Sequence, residues 1–342
     1  MLKVPNYETN KIGTTANWNN AETRSFSNVY VASATDSAAT INSKLAAGLD
    51  ILIQPGNLHL SESLKVNKAG QVILGIGMTT LISTNGNALI EVGDVDSVRI
   101  AGLTLEAGTK KSPTLLKWGS GSFKGSSTHP GVMSDVFARV GGPTNSKTTQ
   151  VSTEMMVQIN TNDIIVDHTW LWRADHDIGG LVYNSANYVA TGLQVNSDNV
   201  KAYGLFVEHT LGDMTAWNGN HGEVYFYQSE LPYDVTQANY ADKGFASYKL
   251  GPNVTSHKAH GLGVYTYFRD NDVMMNSGIV TPNTSGTNIH FENSLGVFLN
   301  GKGGMKNILN NQGTGVHEGQ QLEYLCNNTM FGENATESIF LQ

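Results

Sequence analysis

The strongest constraint on this chain is a rhythm. From residue 50 onward, short apolar bursts return about every 6–12 residues: DILI, LHLSESLKV, QVILGIG, TLIST, ALIEV and VRIAGLTLEA, separated by Gly, Asn, Asp or Pro-Gly. Bursts this brief have the length of strands, not of amphipathic helices. Three of them fill about 20–25 residues, one coil of a parallel β-helix whose short strands stack on three faces. Low charge (15%) and 37 glycines suit such a turn-rich all-β chain. A propeller would carry a repeated blade mark, and a two-domain sandwich would need a linker; the sequence shows neither.

The expected architecture is all-β, a single-stranded right-handed parallel β-helix over residues 31–315. An N-terminal arm (1–30) precedes it and a polar C-terminal tail (316–342) follows. A capping helix is expected near 37–48, where Ala39, Ile41, Leu45 and Leu49 share a face. Asp36 or Ser37 is its N-cap and Gly48 its end. Residues 120–130 and 141–153 read as polar loops leaving the stack, placed to build a binding rim.

A net charge of −8 and a pI near 5.6 argue against nucleic acid and against a basic membrane-binding surface. No run approaches a membrane span, and no signal peptide is visible. One cysteine, Cys326, excludes an intrachain disulfide. Sequons stand at Asn253, Asn283, Asn327 and Asn334. The expected location is extracellular or at the cell surface, the chain being a piece of a longer precursor.

The segment from Asn162 to Asp177 reads as strand, outward acid, second strand and polar corner. Related stretches lie at 207–210 (VEHT), 227–231 (YQSEL), 267–271 (YFRDN) and 291–295 (FENSL). Stacking them yields one solvent-facing column: Gly102, Asp135, Asp167, Glu208, Gln228, Arg269, Glu292. Steps of 20–23 residues count as single coils, and steps of 41 as two coils or as one coil carrying a long loop. With two coils between them, Asp167 and Glu208 sit about 9–10 Å apart, close to the roughly 6.5–9.5 Å of inverting glycoside hydrolases. Glu208 is the first choice as general acid, its pKa raised by apolar neighbours and nearby carboxylates, with Asp167 positioning the water. Glu223, in GNHGE, and Glu230, in SELPYD, are the alternatives.

Aromatic residues cluster along the same stretch. Trp170, Trp172, Trp217, Tyr227 and Tyr233 are the expected sugar platforms, since aromatic faces stack on apolar sugar surfaces. Arg269 joins them as a substrate contact; in a rival calcium-dependent lyase it would neutralise a uronate, with the ion on Asp167 or Glu292. A third reading is a structural or glycan-binding rod that self-assembles through its open ends. Asp175-His176-Asp177 reads as turn chemistry rather than a metal centre, and His168 and His209 as inward core residues. No P-loop, HExxH, CxxC or GxGxxG is present, so neither metal nor cofactor is expected.

The opening run DILIQPGNLHLSESLKVNKAGQVILGIGMTTLIS resembles the first coils of pectate-lyase-like β-helix proteins. The later run, VDHTWLWRADH through AYGLFVEHT to WNGNHGEVYFYQSELPYD, resembles the C-terminal β-helix of a group labelled coagulation-factor-5/8-type or adenylyl cyclase proteins. That group is similar to laminarinase-type glycoside hydrolases. The resemblance covers about residues 30–315. It implies inverting cleavage of β-1,3-glucan from the chain end, with polysaccharide as partner. It also implies a cleft between two β-helix modules, only one of which fits in this chain.

Overall fold

The computed structural model describes residues 1–9, 17–141, 149–176, 182–282 and 288–325, together with the backbone of two short strands at 329–330 and 338–339. Its regular structure is nearly all strand, in stacked parallel sheets consistent with a β-helix. Eight strands of the largest sheet frame the argument: β1 (Arg99–Glu106), β2 (Gly131–Val140), β3 (Ile164–Arg173), β4 (Lys201–Glu208), β5 (Gly222–Glu230), β6 (Ser256–Thr266), β7 (Asn288–Glu292) and β8 (Ser294–Phe298). Consecutive members pair in parallel, with β7 and β8 both pairing β6. A second parallel sheet runs behind them through Ser112–Trp118, Thr153–Ile159, Val189–Val195, Thr215–Trp217 and Tyr248–Leu250. Side chains from both sheets meet in one continuous apolar core.

The register corrects the expected coil length. Ala101, Ser134, Asp167, Tyr203, Tyr225, His260 and Glu292 are successive lateral neighbours. Only the step from Tyr203 to Tyr225 is 22 residues; the others run from 32 to 36, because long connections leave the stack between strands.

Each central strand also carries one residue in the left-handed region, at the same level of the stack. Gly102 (φ 67°), Asp135 (51°), His168 (50°), Gly204 (62°), Phe226 (66°), Gly261 (70°) and Asn293 (56°) form this column. It behaves as a stacked β-bulge, one extra residue that shifts the in–out alternation. In β2 the outward residues are Val132 and Ser134 before the bulge, Phe137 and Arg139 after it.

Both ends of the stack are covered. The helix α1 (Ala38–Ala46) forms as expected: the Ser37 hydroxyl accepts from the Thr40 N–H, and Gly48 (φ 90°) follows its end. It buries Ala38, Ile41 and Leu45, while Ala39 points to solvent. The N-terminal arm contains an antiparallel pair, Leu2–Pro5 with Ala21–Arg24. At the other end Leu322–Leu325 pairs antiparallel with β8, which occupies an edge otherwise open to strand addition. Among the described residues no helix is long and apolar enough to cross a membrane. Cys326 and the sequons at Asn283, Asn327 and Asn334 lie outside the described residues.

Candidate active site

The bulge breaks the expected acid column into several. Asp135 stands in the left-handed column itself. Asp167 and Glu292 lie in the Tyr203 row before the bulge. Gln228 falls in the first row after it, beside Phe206 and in line with Phe137 and Trp170. Glu208 falls in the second, with Arg139, Trp172, Glu230 and Tyr265. Asp167 and Glu208 sit on adjacent strands but five residues out of step, about 15 Å along the strand direction. They are not the two-coil pair expected from the spacing. Asp167 instead accepts a hydrogen bond from the Ser134 hydroxyl at 3.2 Å.

What the fold does bring together is Glu208 and Glu230. They are direct lateral neighbours in the strand pair β4–β5. One ligand atom from each, with one from His209, falls inside a 4.8 Å circle. The reason is local: Glu208 ends β4 and Glu230 ends β5, and both lie two residues past the same outward row. Glu223, seven residues earlier on β5, is about 20 Å away along the strand, bonded to Lys201 at 3.1 Å and to the Tyr225 hydroxyl at 2.9 Å.

Burial sets the character of the pair. Loss of solvent pushes the Glu208 carboxyl up to about 7, and the negative charge of Glu230 adds to this. The Trp170 indole N–H faces Glu208 and opposes the shift without closing a hydrogen bond. Burial also raises Glu230, partly offset by the Tyr233 hydroxyl, which donates to Glu230 Oε1 at 2.8 Å. No lysine or arginine forms an ion pair with either carboxylate in the described residues. Asp175, just past the end of β3, completes the acidic wall. Burial raises it, but His209 and His176 outweigh this and hold it below the usual range.

Trp170 and Trp172 are both on the outward side, as alternation requires, with ring centroids 4.6 Å apart and planes 20° from parallel. Trp172 is largely covered: His176 packs on it at 4.7 Å and the Arg139 guanidinium lies 5.3 Å from its ring. The other platforms separate. Trp217 is fully buried in the second sheet against Tyr248 and His257, and so is a core residue rather than a sugar contact. Tyr227 is likewise 1% exposed, its hydroxyl donating inward to Ser247 O at 2.9 Å; it follows the bulge, so its parity is opposite to that expected. Arg269 is outside the acid rows. It pairs with Asp270 at 2.7 Å and stacks 3.8 Å from the Tyr183 ring, at the rim behind Tyr233. This placement removes the cation that the lyase reading needed inside the acid column.

The corner that presents Tyr233 and Glu230 is tied down by a buried ion pair. Arg173 and Asp234 are fully enclosed and joined by two hydrogen bonds of 2.8 Å. Arg173 also donates to the carbonyls of His209 and Ala186, and Asp234 accepts from the Ser185 N–H. Burial raises Asp234, but Arg173 more than compensates and holds it below the ordinary carboxylate value.

Arg173 was not among the sequence candidates, and the sequence reading set Asp175 aside as turn chemistry and His209 as core. One signal was present: DHT at 167–169 and EHT at 208–210 set a histidine after an acid at the end or bend of a strand. His168 proves exposed and His209 buried. Asp177 lies outside the described residues.

With this geometry in place, comparisons with known proteins are informative. Residues 29–230 match the model of the LAM55 pectate lyase-like domain. An exo-beta-1,3-glucanase of Streptomyces sp. SirexAA-E is 38% identical over 321 residues, 91% of this chain and 51% of that protein. The solved structure of sacteLam55A from Streptomyces sp. SirexAA-E superimposes with a TM-score of 0.85 at 36% identity, over 92% of this chain and 57% of that one. A glutamate-to-alanine variant of sacteLam55A in complex with glucose superimposes with a TM-score of 0.79 at 35% identity, over 85% of this chain and 52% of that one. The chain thus spans about half the length of these relatives, and it belongs to the LAM55 pectate lyase-like domain family.

Proposed function

We propose that this chain is the carboxylate-bearing β-helix of a glycoside hydrolase that cleaves β-1,3-glucan from the chain end. The observation that carries the reading is the Glu208–Glu230 pair: two adjacent carboxylates without a lysine or arginine partner among the described residues, half-buried beside Trp170 and Trp172. Hydrolysis of a glycosidic bond needs one carboxyl to protonate the leaving oxygen and a second to act at the anomeric carbon. Burial and mutual repulsion let such a pair keep a proton near neutral pH. Glu208, at about 7, is the member that holds it in the free protein. Tyr233 orients Glu230, and Gln228 stands beside both, one row in. The exo-beta-1,3-glucanase activity of the Streptomyces relative supports the choice of glucan and of end-on attack.

The winding is proposed to be right-handed and single-stranded, which the strong preference of parallel crossovers for the right hand supports. A second β-helix module is proposed to close the cleft, since the relatives are about twice as long. A polysaccharide substrate favours a location outside the cell.

The test is release of reducing sugar from β-1,3-glucan by the parent and by Glu208→Gln and Glu230→Gln, with the second module supplied where the isolated chain is silent. Loss in both variants supports the pair; unchanged turnover in either removes it. An aryl glucoside with a good leaving group then assigns the roles, because only the variant lacking the acid keeps turning it over. The nearest atoms of the pair lie within 4.8 Å, nearer to the spacing of retaining enzymes (about 5–5.5 Å) than of inverting ones. Inversion stays in the proposal on the family resemblance. Proton NMR of the first glucose released tests it: an α-anomer keeps it, a β-anomer replaces it with a covalent route.

A further inference from the structure

We propose that His209 Nε2, Glu208 and Glu230 form a binding site for one divalent transition-metal cation, zinc foremost. The neighbours of His209 fix its tautomer. Its Nδ1 lies 3.2 Å from the carbonyl oxygen of Leu231. A carbonyl only accepts, so Nδ1 carries a hydrogen, and in the neutral ring Nε2 then carries a lone pair. That lone pair is fully buried and has no hydrogen-bond partner. It faces Glu230 Oε2 at 3.8 Å and Asp175 Oδ1 at 3.9 Å. Apart from the one proton that the glutamate pair keeps, the facing carboxylate oxygens are acceptors too, and a cation can take that proton's place among them. A cation is the chemistry that satisfies all of them at once.

The surroundings have the form of a metal shell. A histidine that ligates a metal usually donates its other ring nitrogen to a carbonyl, which fixes the ring; Leu231 does this here. Tyr233 donates to Glu230 Oε1 and leaves Oε2 free to bind. Arg173 holds the His209 backbone, and the Tyr233 ring packs on the imidazole at 4.3 Å. His176 holds Asp175 Oδ1 at 2.8 Å, which leaves Asp175 at the edge of the site as a nearby negative charge. His209 Nε2 and Glu230 Oε2, 3.8 Å apart, can both touch one ion at the usual zinc bond length of about 2.0–2.1 Å; Glu208, within 4.8 Å of both, closes on the ion to complete the set. A nitrogen donor among carboxylates selects a transition metal over calcium or magnesium, which prefer all-oxygen shells.

A cation held here engages both carboxylates of the proposed hydrolytic pair, so zinc is an inhibitor of the reaction. That consequence rests on the proposed function; the binding itself does not. The experiment therefore reads binding first. Protein stripped with a chelator is titrated with Co²⁺, read by its visible absorption, and with Zn²⁺, read by calorimetry. One saturable equivalent is expected. His209→Gln and Glu230→Gln should each weaken Zn²⁺ binding at least ~10-fold. If His209→Gln fails to fold by circular dichroism, Glu230→Gln and Glu208→Gln decide. Absence of a one-to-one site, or zinc affinity unchanged in the glutamine variants because surface histidines hold the ion, overturns the proposal. Zinc binding by a metal-free protein that never cleaves glucan would refute the hydrolase and leave the metal site standing. Cleavage without calorimetric binding of zinc does the reverse.

Discussion

The outward side of one sheet carries two surfaces of opposite character, divided by the left-handed column at Asp135, His168, Gly204 and Phe226. Before the column, charged groups find partners: Glu223 with Lys201, Glu292 with His260, Asp167 with Ser134. Tyr203, Tyr225 and His260 stack there nearly in parallel, 5.1–5.3 Å apart. After the column, Trp170, Phe206 and Trp172 shield two carboxylates that no lysine or arginine neutralises among the described residues, and Glu208 is pushed up to about 7. The strands, their spacing and their exposure to one side are common to both halves. The difference lies in partners and desolvation: a paired carboxylate stays an ordinary anion, while an unpaired, half-buried one becomes a reservoir for a proton or a ligand for a cation.

Substituting glutamates on both sides of the column tests that contrast most severely. Glu208→Gln and Glu230→Gln should each cut glucan hydrolysis by about 10²–10⁴-fold, whereas Glu223→Gln should stay within about twofold, since it lies far along the strand. Equal losses at all three positions in a reducing-sugar assay would erase the distinction between the halves.

The next effect is on stability. Arg173→Ala leaves Asp234 buried and unpaired beneath the active half, and should cost about 3–5 kcal/mol in urea unfolding. The double change Arg173→Met with Asp234→Leu should recover most of it, because the loss comes from a stranded charge. Recovery of folding without recovery of activity would separate the orienting role of this pair from its structural one.

Beneath the paired half, His257 provides a pH test. Burial depresses it to about 3, and its Nε2 lies 2.8 Å from the Tyr248 hydroxyl. Its folded pKa lies below the ordinary 6.5, so between these values the unfolded chain binds the extra proton. Stability is therefore fullest above about pH 6.5 and falls as pH drops toward 3. From pH 7 to pH 5 the loss is roughly 2 kcal/mol. His257→Gln, which can keep the bond to Tyr248 but cannot titrate, should flatten that slope in denaturant midpoints.

The smallest effect is on the dividing column. Phe226 is 57% exposed at φ 66°, between Gly204 and Gly261 on the adjacent strands. Glycine there should leave thermal stability nearly unchanged, and valine should cost about 1–2 kcal/mol, because a β-branched side chain resists this backbone region. An inert valine would show that the level of the bulge does not hold the register.

Much of the fold was legible along the chain. Apolar bursts between turn residues announced stacked strands, and Ser37 and Gly48 announced the ends of α1. Glu208, Glu230, Tyr233 and the two outward tryptophans were also on the sequence shortlist. The register was not legible, because loops of unequal length make coils of 22 to 36 residues and no constant period survives. Nor was the bulge: one left-handed residue per strand reverses parity midway, turning Tyr227 inward where alternation alone would expose it.

The sequence by itself determined a parallel stack of short strands and the residue types available for acid chemistry. Those follow from local pattern, since burst length, turn residues and capping hydroxyls act over a few positions. Only the tertiary structure decided that Glu230, and not Asp167, stands beside Glu208, and that His209 and Asp175 join them. Such proximity depends on how far each loop carries the chain before it rejoins the sheet, and on which side of a bulge a residue falls; both are settled by packing between distant segments.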